Sequence, residues 1–269
     1  MSFGLWGDLP LITLAALFAV ALTAGCIDAI AGGGGLLCVP ALLWAGLTPA
    51  QTLATNKLQS AVGTFSATLH FLQAGTIDLK AMRGMVAAAL TGAMTGSIAV
   101  QSIDPGFLRT ALPWMLMGIA AYFLFKPNLG ELDGRQRVSP TLFALTAAPL
   151  IGFYDGFFGP GAGSFYAVAL VDLLGFNLTR ATANTKLLNL TSNLAAVLAF
   201  LAGGNLVWEV GLVMAAGQFL GAKLGSHLVL TKGAGLVRPL LVTMSVILTI
   251  KLLADDPDNW AHRLWAHLS

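Results

Sequence analysis

The chain has 269 residues, of which 57% are hydrophobic and 10% charged, and its mean hydropathy is +0.80. A soluble domain carries about a quarter charged residues, so this composition excludes a water-facing globular enzyme, and it is the opposite of what disorder requires. Fourteen Lys and Arg against twelve Asp and Glu leave a formal charge of +2, which is no signature of nucleic-acid binding.

Apolar runs long enough to span about 30 Å at 1.5 Å per residue fall at 11–46, 53–74, 84–101, 107–125, 141–174, 182–203, 207–230 and 236–253. Within the first, Thr23-Ala24-Gly25-Cys26 has the outline of a lipoprotein cleavage box. No basic stretch precedes it and position 23 is not leucine, so the segment is read as retained structure. Cys26 and Cys38 are too few for a disulfide framework or a zinc site and read as packing residues.

The runs 11–46 and 141–174 exceed one helix, and glycines interrupt both: Gly32-Gly33-Gly34-Gly35 in the first, Gly159-Pro160-Gly161-Ala162-Gly163-Ser164 in the second. Each reads as a broken or re-entrant helical hairpin. The long polar connection 126–140 separates two groups of four runs.

Those groups repeat one another. Gly25, Asp28 and Gly32 fall on Gly152, Asp155 and Gly159. From Gly46 to Arg109 a constant offset of 129 needs no gap. It pairs Lys57 with Lys186, Gly75 with Gly204, Gly92-x3-Gly96-Ser97 with Gly221-x3-Gly225-Ser226, and Gly106-x2-Arg109 with Gly235-x2-Arg238. Apolar bias would inflate matches of Leu and Ala, but it would not align lysines and arginines.

Loop charge sets the expected orientation, because short cytoplasmic loops are enriched in Lys and Arg. Loops 75–84 (Lys80, Arg83), 126–140 (Lys126, Arg135, Arg137) and 231–238 (Lys232, Arg238) read as cytoplasmic; loop 203–208 and the aspartate-rich tail read as external. Equivalent loops thus face opposite sides. The expected fold is an all-α polytopic membrane protein with two inverted-topology repeats, each a broken hairpin followed by three transmembrane helices. Its parts are a first repeat at 1–125, a cytoplasmic linker at 126–140, a second repeat at 141–253 and an external tail at 254–269, with both termini outside.

Irregular backbone at membrane depth survives where protein buries it or water reaches it, so two equivalent glycine breaks mark a central cavity. Helices restarting near Leu36 and Phe165 would aim unpaired N–H groups and positive dipole ends at it, an arrangement suited to an oxyanion. The competing reading, that the glycines only permit close helix packing, fits the two Gly-x3-Gly pairs. Candidate substrate contacts are Gly33, Gly34, Gly35, Gly161, Ala162, Gly163 and Ser164 at the breaks, with Asn56, Lys57, Asn184, Thr185 and Lys186 in the polar boxes after them. Amides at Asn189 and Asn193 share a helix face with Thr185. Five or six residues into a helix, the lysines would lie roughly 9 Å deep, where they either attract an anion or snorkel to the surface. Asp28 and Asp155 stand inside apolar runs just before the breaks and serve either proton coupling or capping of the break. His70 reads as a hydrogen-bonded interior histidine, and Lys223, deep in a span, requires a partner.

Asp28-Ala29-Ile30-Ala31-Gly32-Gly33-Gly34-Gly35, Ala54-Thr55-Asn56-Lys57, Gly152 through Gly163 and Gly221-Ala222-Lys223-Leu224-Gly225 together resemble the sulfite exporter TauE/SafE family of bacterial membrane proteins. The resemblance covers nearly the whole chain and implies an inner-membrane permease for sulfite or organosulfonates. Family members usually carry arginine where Lys223 stands, so the charge is kept and bidentate geometry is lost.

The expected function is therefore a secondary transporter of small sulfur-containing oxyanions, working by alternating access and driven by a proton or by the anion's own gradient. Its partners are the anion and the lipid bilayer, with homodimer assembly allowed and with no nucleic acid, cofactor, catalytic residue or resident metal. Alternatives are an anion channel, the membrane subunit of a larger complex, and, further off, an intramembrane enzyme, for which no local His, Ser or Cys constellation exists.

Overall fold

A computed structural model of the chain describes residues 9–108, 111, 114 and 134–232. All regular structure among these residues is helical: α1 (Leu11–Ala31), α2 (Gly35–Trp44), α3 (Pro49–Gln73), α4 (Leu79–Gln101), α5 (Pro140–Leu145), α6 (Ala147–Phe157), α7 (Ala162–Leu174), α8 (Leu178–Ala202) and α9 (Trp208–Lys232). By length and composition α1, α4 and α8 are able to cross a membrane. The expected run 236–253, the tail 254–269 and most of run 107–125 lie outside the described residues, as does most of loop 126–140.

The helices begin earlier than hydropathy suggests, because their first turns are built from caps. Thr48 and Gln51 form a reciprocal capping box ahead of Pro49, and the Asn177 side chain accepts the Arg180 N–H at 2.9 Å. Helices α3 and α8 therefore start at 49 and 178 instead of near 53 and 182. Lys57 and Lys186 each become the ninth residue of a helix, about 12 Å deep and not 9 Å.

Both long runs are broken where the glycines stand. Helix α1 ends at Ala31 and α2 restarts at Gly35; α6 ends at Phe157 and α7 restarts at Ala162. The positive φ of Gly32 (80°), Gly159 (98°) and Gly161 (81°) is a backbone state that side chains oppose. The second run has one interruption more than expected, at Thr146, whose φ of −124° and ψ of −76° separate α5 from α6.

Turn contacts place the ends of the helices. The linker donates from Gly134 to the Gly175 carbonyl at 2.8 Å and from Arg137 to that of Leu173 at 2.9 Å, and Ile77, Val138 and Phe176 pack on one apolar cluster with Leu174. At the other end Leu43, Ile103 and Leu206 share a cluster, and the Gln101 amide donates to the Ala199 carbonyl at 3.3 Å. Each broken run thus travels to mid-depth and returns to the end it came from. Gly46 and Gly175, matched in the sequence repeat, sit at opposite ends, as do Gly75 and Gly204.

Packing between the halves is reciprocal: α1 lies along α9, α4 along α6, and α3 against α8. Small residues make this possible. A Cβ at Gly96 would lie 2.1 Å from the Phe153 carbonyl oxygen, and one at Gly221 1.9 Å from that of Leu22. Both Gly-x3-Gly pairs are thus packing devices, as their competing reading held.

Gly96→Ala and Gly221→Ala should each lower stability by about 1–3 kcal/mol, the usual range for overpacking. Gly84→Ala, whose Cβ would meet Ala144 at an ordinary 3.8 Å, should leave stability unchanged or raise it by up to about 1 kcal/mol through helix propensity. Thermal unfolding of the purified variants in detergent checks the ranking.

Candidate functional site

The two glycine breaks meet. A Cβ on Gly32 would fall 2.5 Å from Gly163 C and Ser164 N, and one on Gly35 would fall 3.1 Å from Pro160 Cα. A side chain is excluded at Gly32 and would be crowded at Gly35. Ser164 Oγ clasps the contact by donating to the Ala31 carbonyl at 2.5 Å, and the Tyr154 hydroxyl braces the second break by donating to the Pro160 carbonyl at 2.5 Å.

Around this contact the polar boxes of α3 and α8 converge. Lys57 Nζ donates to Asp155 Oδ1 and, at 3.2 Å, to Asn193 Oδ1. Lys186 Nζ donates to the backbone carbonyl of Asp28 and, at 3.2 Å, to its Oδ2. Both lysines are 1% exposed, so neither snorkels. Each instead finds its counter-ion in the other half of the chain. Asp28 also caps its own break, with Oδ1 accepting the Gly34 N–H at 3.1 Å. Of the two roles weighed for this residue, proton coupling and capping, this contact is the capping one.

A cavity of about 20 Å³ lies between the pairs, lined by Asp28, Gly35, Asn56, Lys57, Asp155, Gly161 and Gly163 from the sequence-derived set, and by Gly32, Ser60, Gly159, Asn189 and Asn193 besides. It holds about one water. The remaining sequence candidates stand around it. Gly34 bonds Asp28, Ala162 and Ser164 are buried in the first turn of α7, and a Cβ on Gly33 would meet Leu36 Cδ1 at an ordinary 3.7 Å. Asn184 is not brought to the cavity: its amide turns back to the Arg180 carbonyl at 2.8 Å. Thr185 is buried with its hydroxyl oxygen lacking a hydrogen bond. Ser60 was missed because one hydroxyl in an apolar run carries no signal by itself, although it lies four residues after Asn56 and so on the same face.

Two further expectations are resolved outside the cavity. His70 packs its ring edge-on to His227 at 6.0 Å between centroids. Lys223 is exposed on α9, so it does not sit in a buried pair.

Two glycine-broken hairpins thus meet tip to tip, each carrying an acid that is answered by a lysine from the opposite half. Residues 17–252 match the profile of the family described as "Sulfite exporter TauE/SafE". The chain belongs to the sulfite exporter TauE/SafE family. It is a membrane transporter and not an enzyme. Relatives in this TauE/SafE family include the "Probable membrane transporter protein YfcA" of Escherichia coli K12, 51% identical over 247 residues covering 92% of this chain and 91% of that protein. A "Probable membrane transporter protein" of Haemophilus influenzae is 48% identical over 255 residues, covering 95% and 99%. No solved structure matches the chain.

For this TauE/SafE chain the ion pairs make a stability prediction. Removing one member strands a buried charge and should cost about 3–5 kcal/mol, whereas replacing both with apolar residues of similar size should be near neutral. Lys57→Met is expected to lower the unfolding temperature sharply and Lys57→Met with Asp155→Leu to restore it. A double variant as unstable as the single one would show that the pair is not an isolated unit.

Proposed function

We propose that this protein is a secondary transporter for small sulfur-containing oxyanions, sulfite or organosulfonates, working by alternating access between two inverted repeats, 1–125 and 141–253. The observation that carries the anion reading is the pair of ammonium groups, Lys57 and Lys186, buried at the meeting point of the two breaks. A cation arriving there would meet two ammonium groups and would find the cavity's carboxylates already paired with them. An oxyanion would find charge-assisted donors, the amides of Asn56, Asn189 and Asn193, and the N–H groups of Gly35 and Gly163 in the first turns of α2 and α7. The sulfur chemistry rests on the family and the class of ion on the site.

The inverted-repeat reading is supported by three things: the gapless sequence match, the reciprocal packing of α1 on α9 and α6 on α4, and the opposite placement of matched glycine turns. Two structurally similar halves related this way can exchange conformations, opening the central site to one side and then the other. A channel would need a continuous aqueous path, and the ion pairs instead close the centre.

Reconstituted protein should show saturable flux of sulfite and of alkanesulfonates that compete with one another, and none of divalent cations offered in parallel. Saturable cation flux untouched by sulfonates would contradict the anion reading, and flux without saturation would return the channel. Independently, cysteine labelling in cells should find Gln136 cytoplasmic and Gly204 external. The same accessibility for both would remove the inversion.

A further inference from the structure

We propose that the Asp155 and Asp28 carboxylates are resident stand-ins for the transported anion: each occupies the ammonium group the substrate needs and gives it up only on taking a proton, so that one proton accompanies each negative charge. This rests on the anion-transporter reading and adds the coupling ion and its stoichiometry.

Space is the first support. A cavity of about 20 Å³ admits about one water and cannot take a sulfur oxyanion of four or more heavy atoms beside the carboxylates. The anion has to replace them. A carboxylate and a sulfonate present the same feature to a lysine, a planar or pyramidal set of oxygens sharing negative charge, so one can stand where the other stood.

Charge is the second. Two lysines and two aspartates cancel in the site as it stands. The side chains are 2% and 4% exposed in the Lys57 and Asp155 pair, so charge left unbalanced there is met by little solvent and is costly. An anion that takes Lys57 leaves Asp155 uncompensated unless the carboxylate becomes a carboxylic acid. The balance is simple: a proton from water on the side of arrival adds to a carboxylate oxygen, the carboxyl group releases its lysine, and the anion forms the new ion pair. On the side of release the carboxyl returns the proton to water and closes again on the ammonium. No electrons move and the site's net charge never changes.

The geometry leaves room for the proton. Asp155 Oδ2 is buried with no donor within hydrogen-bonding distance, so a proton can add there with only the nearby Ser192 hydroxyl to readjust. Asp28 holds the Gly34 N–H with Oδ1 and Lys186 with Oδ2, and its side chain is 18% exposed; its release would hand both an ammonium and a backbone N–H to the anion. The other titratable groups facing these acids are Tyr154 on α6 and Tyr166 on α7, beside Asp155, and Cys38 on α2, beside Asp28. Both tyrosine hydroxyls are already donating, to Pro160 and to Ala148 carbonyls. None supplies a second cation.

The test uses purified full-length protein in liposomes carrying a lumenal pH dye, with methanesulfonate as a permanent monoanion and ethane-1,2-disulfonate as a permanent dianion. Uptake should acidify the lumen with about one proton per monoanion and about two per dianion, and a potassium-diffusion potential should leave the rate of either unchanged. Asp155→Asn should lower the proton ratio and make flux voltage-dependent, because Lys57 then keeps a charge that no carboxylate cancels. Should that variant fail to fold, the wild-type ratios and voltage response still decide. Wild-type sulfonate flux that follows membrane potential without lumenal acidification would overturn the coupling proposal and leave the transporter standing. Absence of saturable flux for any anion would instead overturn the function proposed above.

Discussion

An ammonium group about 12 Å inside a helix bundle has no water to satisfy it, and an isolated buried charge is costly enough that structure must answer it. Lys57 and Lys186 are answered by acids 98 and 158 residues away, each from the opposite half of the chain. Much of the centre follows from that requirement. The acids stand at the ends of α1 and α6, so those ends must come within reach of α3 and α8, and the hairpin tips are thereby drawn against one another. Contact this close between Gly32 and Gly163 leaves no volume for a Cβ. The glycines are needed where the chains cross, and at Gly32, Gly159 and Gly161 for the backbone conformation as well.

The same requirement explains why the halves interlock by exchange and do not stand side by side. Helix α1 of the first half rests on α9 of the second, and α6 of the second on α4 of the first, with carbonyl oxygens seated against Gly221, Gly225, Gly92 and Gly96. Each hairpin is carried by helices of the other half and carries an acid to the other half's lysine. In lipid, where burying apolar surface gives helices little drive to associate, close packing of small residues and polar contacts must supply the attraction, and both are placed across the boundary between halves.

Much of this was legible in the sequence, for identifiable reasons. Glycine runs inside apolar stretches announce breaks, and a lysine, an acid or a glycine recurring at one offset announces a duplication that apolar bias cannot imitate. Helix starts were misjudged by about four residues, because capping turns at Thr48 and Asn177 are polar and hydropathy reads them as loop. That error alone made snorkelling tenable for the lysines. The pairing of Lys57 with Asp155 was out of reach, since the repeat aligns Lys57 with Lys186 and Asp28 with Asp155, and alignment identifies equivalents without identifying partners. Asn184 failed for a third reason. Two positions apart on a helix means about 200° apart around it, so Asn184 and Lys186 cannot share a face, whereas Asn189 and Asn193 stand three and seven residues on and do.

Buried ion pairs contribute little net stability compared with apolar residues of the same volume, because desolvation offsets most of the attraction. Two of them in the middle of a small bundle are therefore poorly explained as scaffolding. They are better suited to an element that must exist in two arrangements, where charge satisfied in one way can be satisfied in another at similar free energy. The two pairs are already unlike: Asp155 is enclosed, with Asn193 sharing its lysine, while Asp28 is part-exposed and divides its oxygens between a lysine and a backbone N–H. Chemically equivalent groups in unequal surroundings are what one conformation of an alternating pair of repeats should present. On that reading the opposite conformation would exchange their surroundings, opening Asp155 and enclosing Asp28, without requiring any residue that the duplication has not already provided twice.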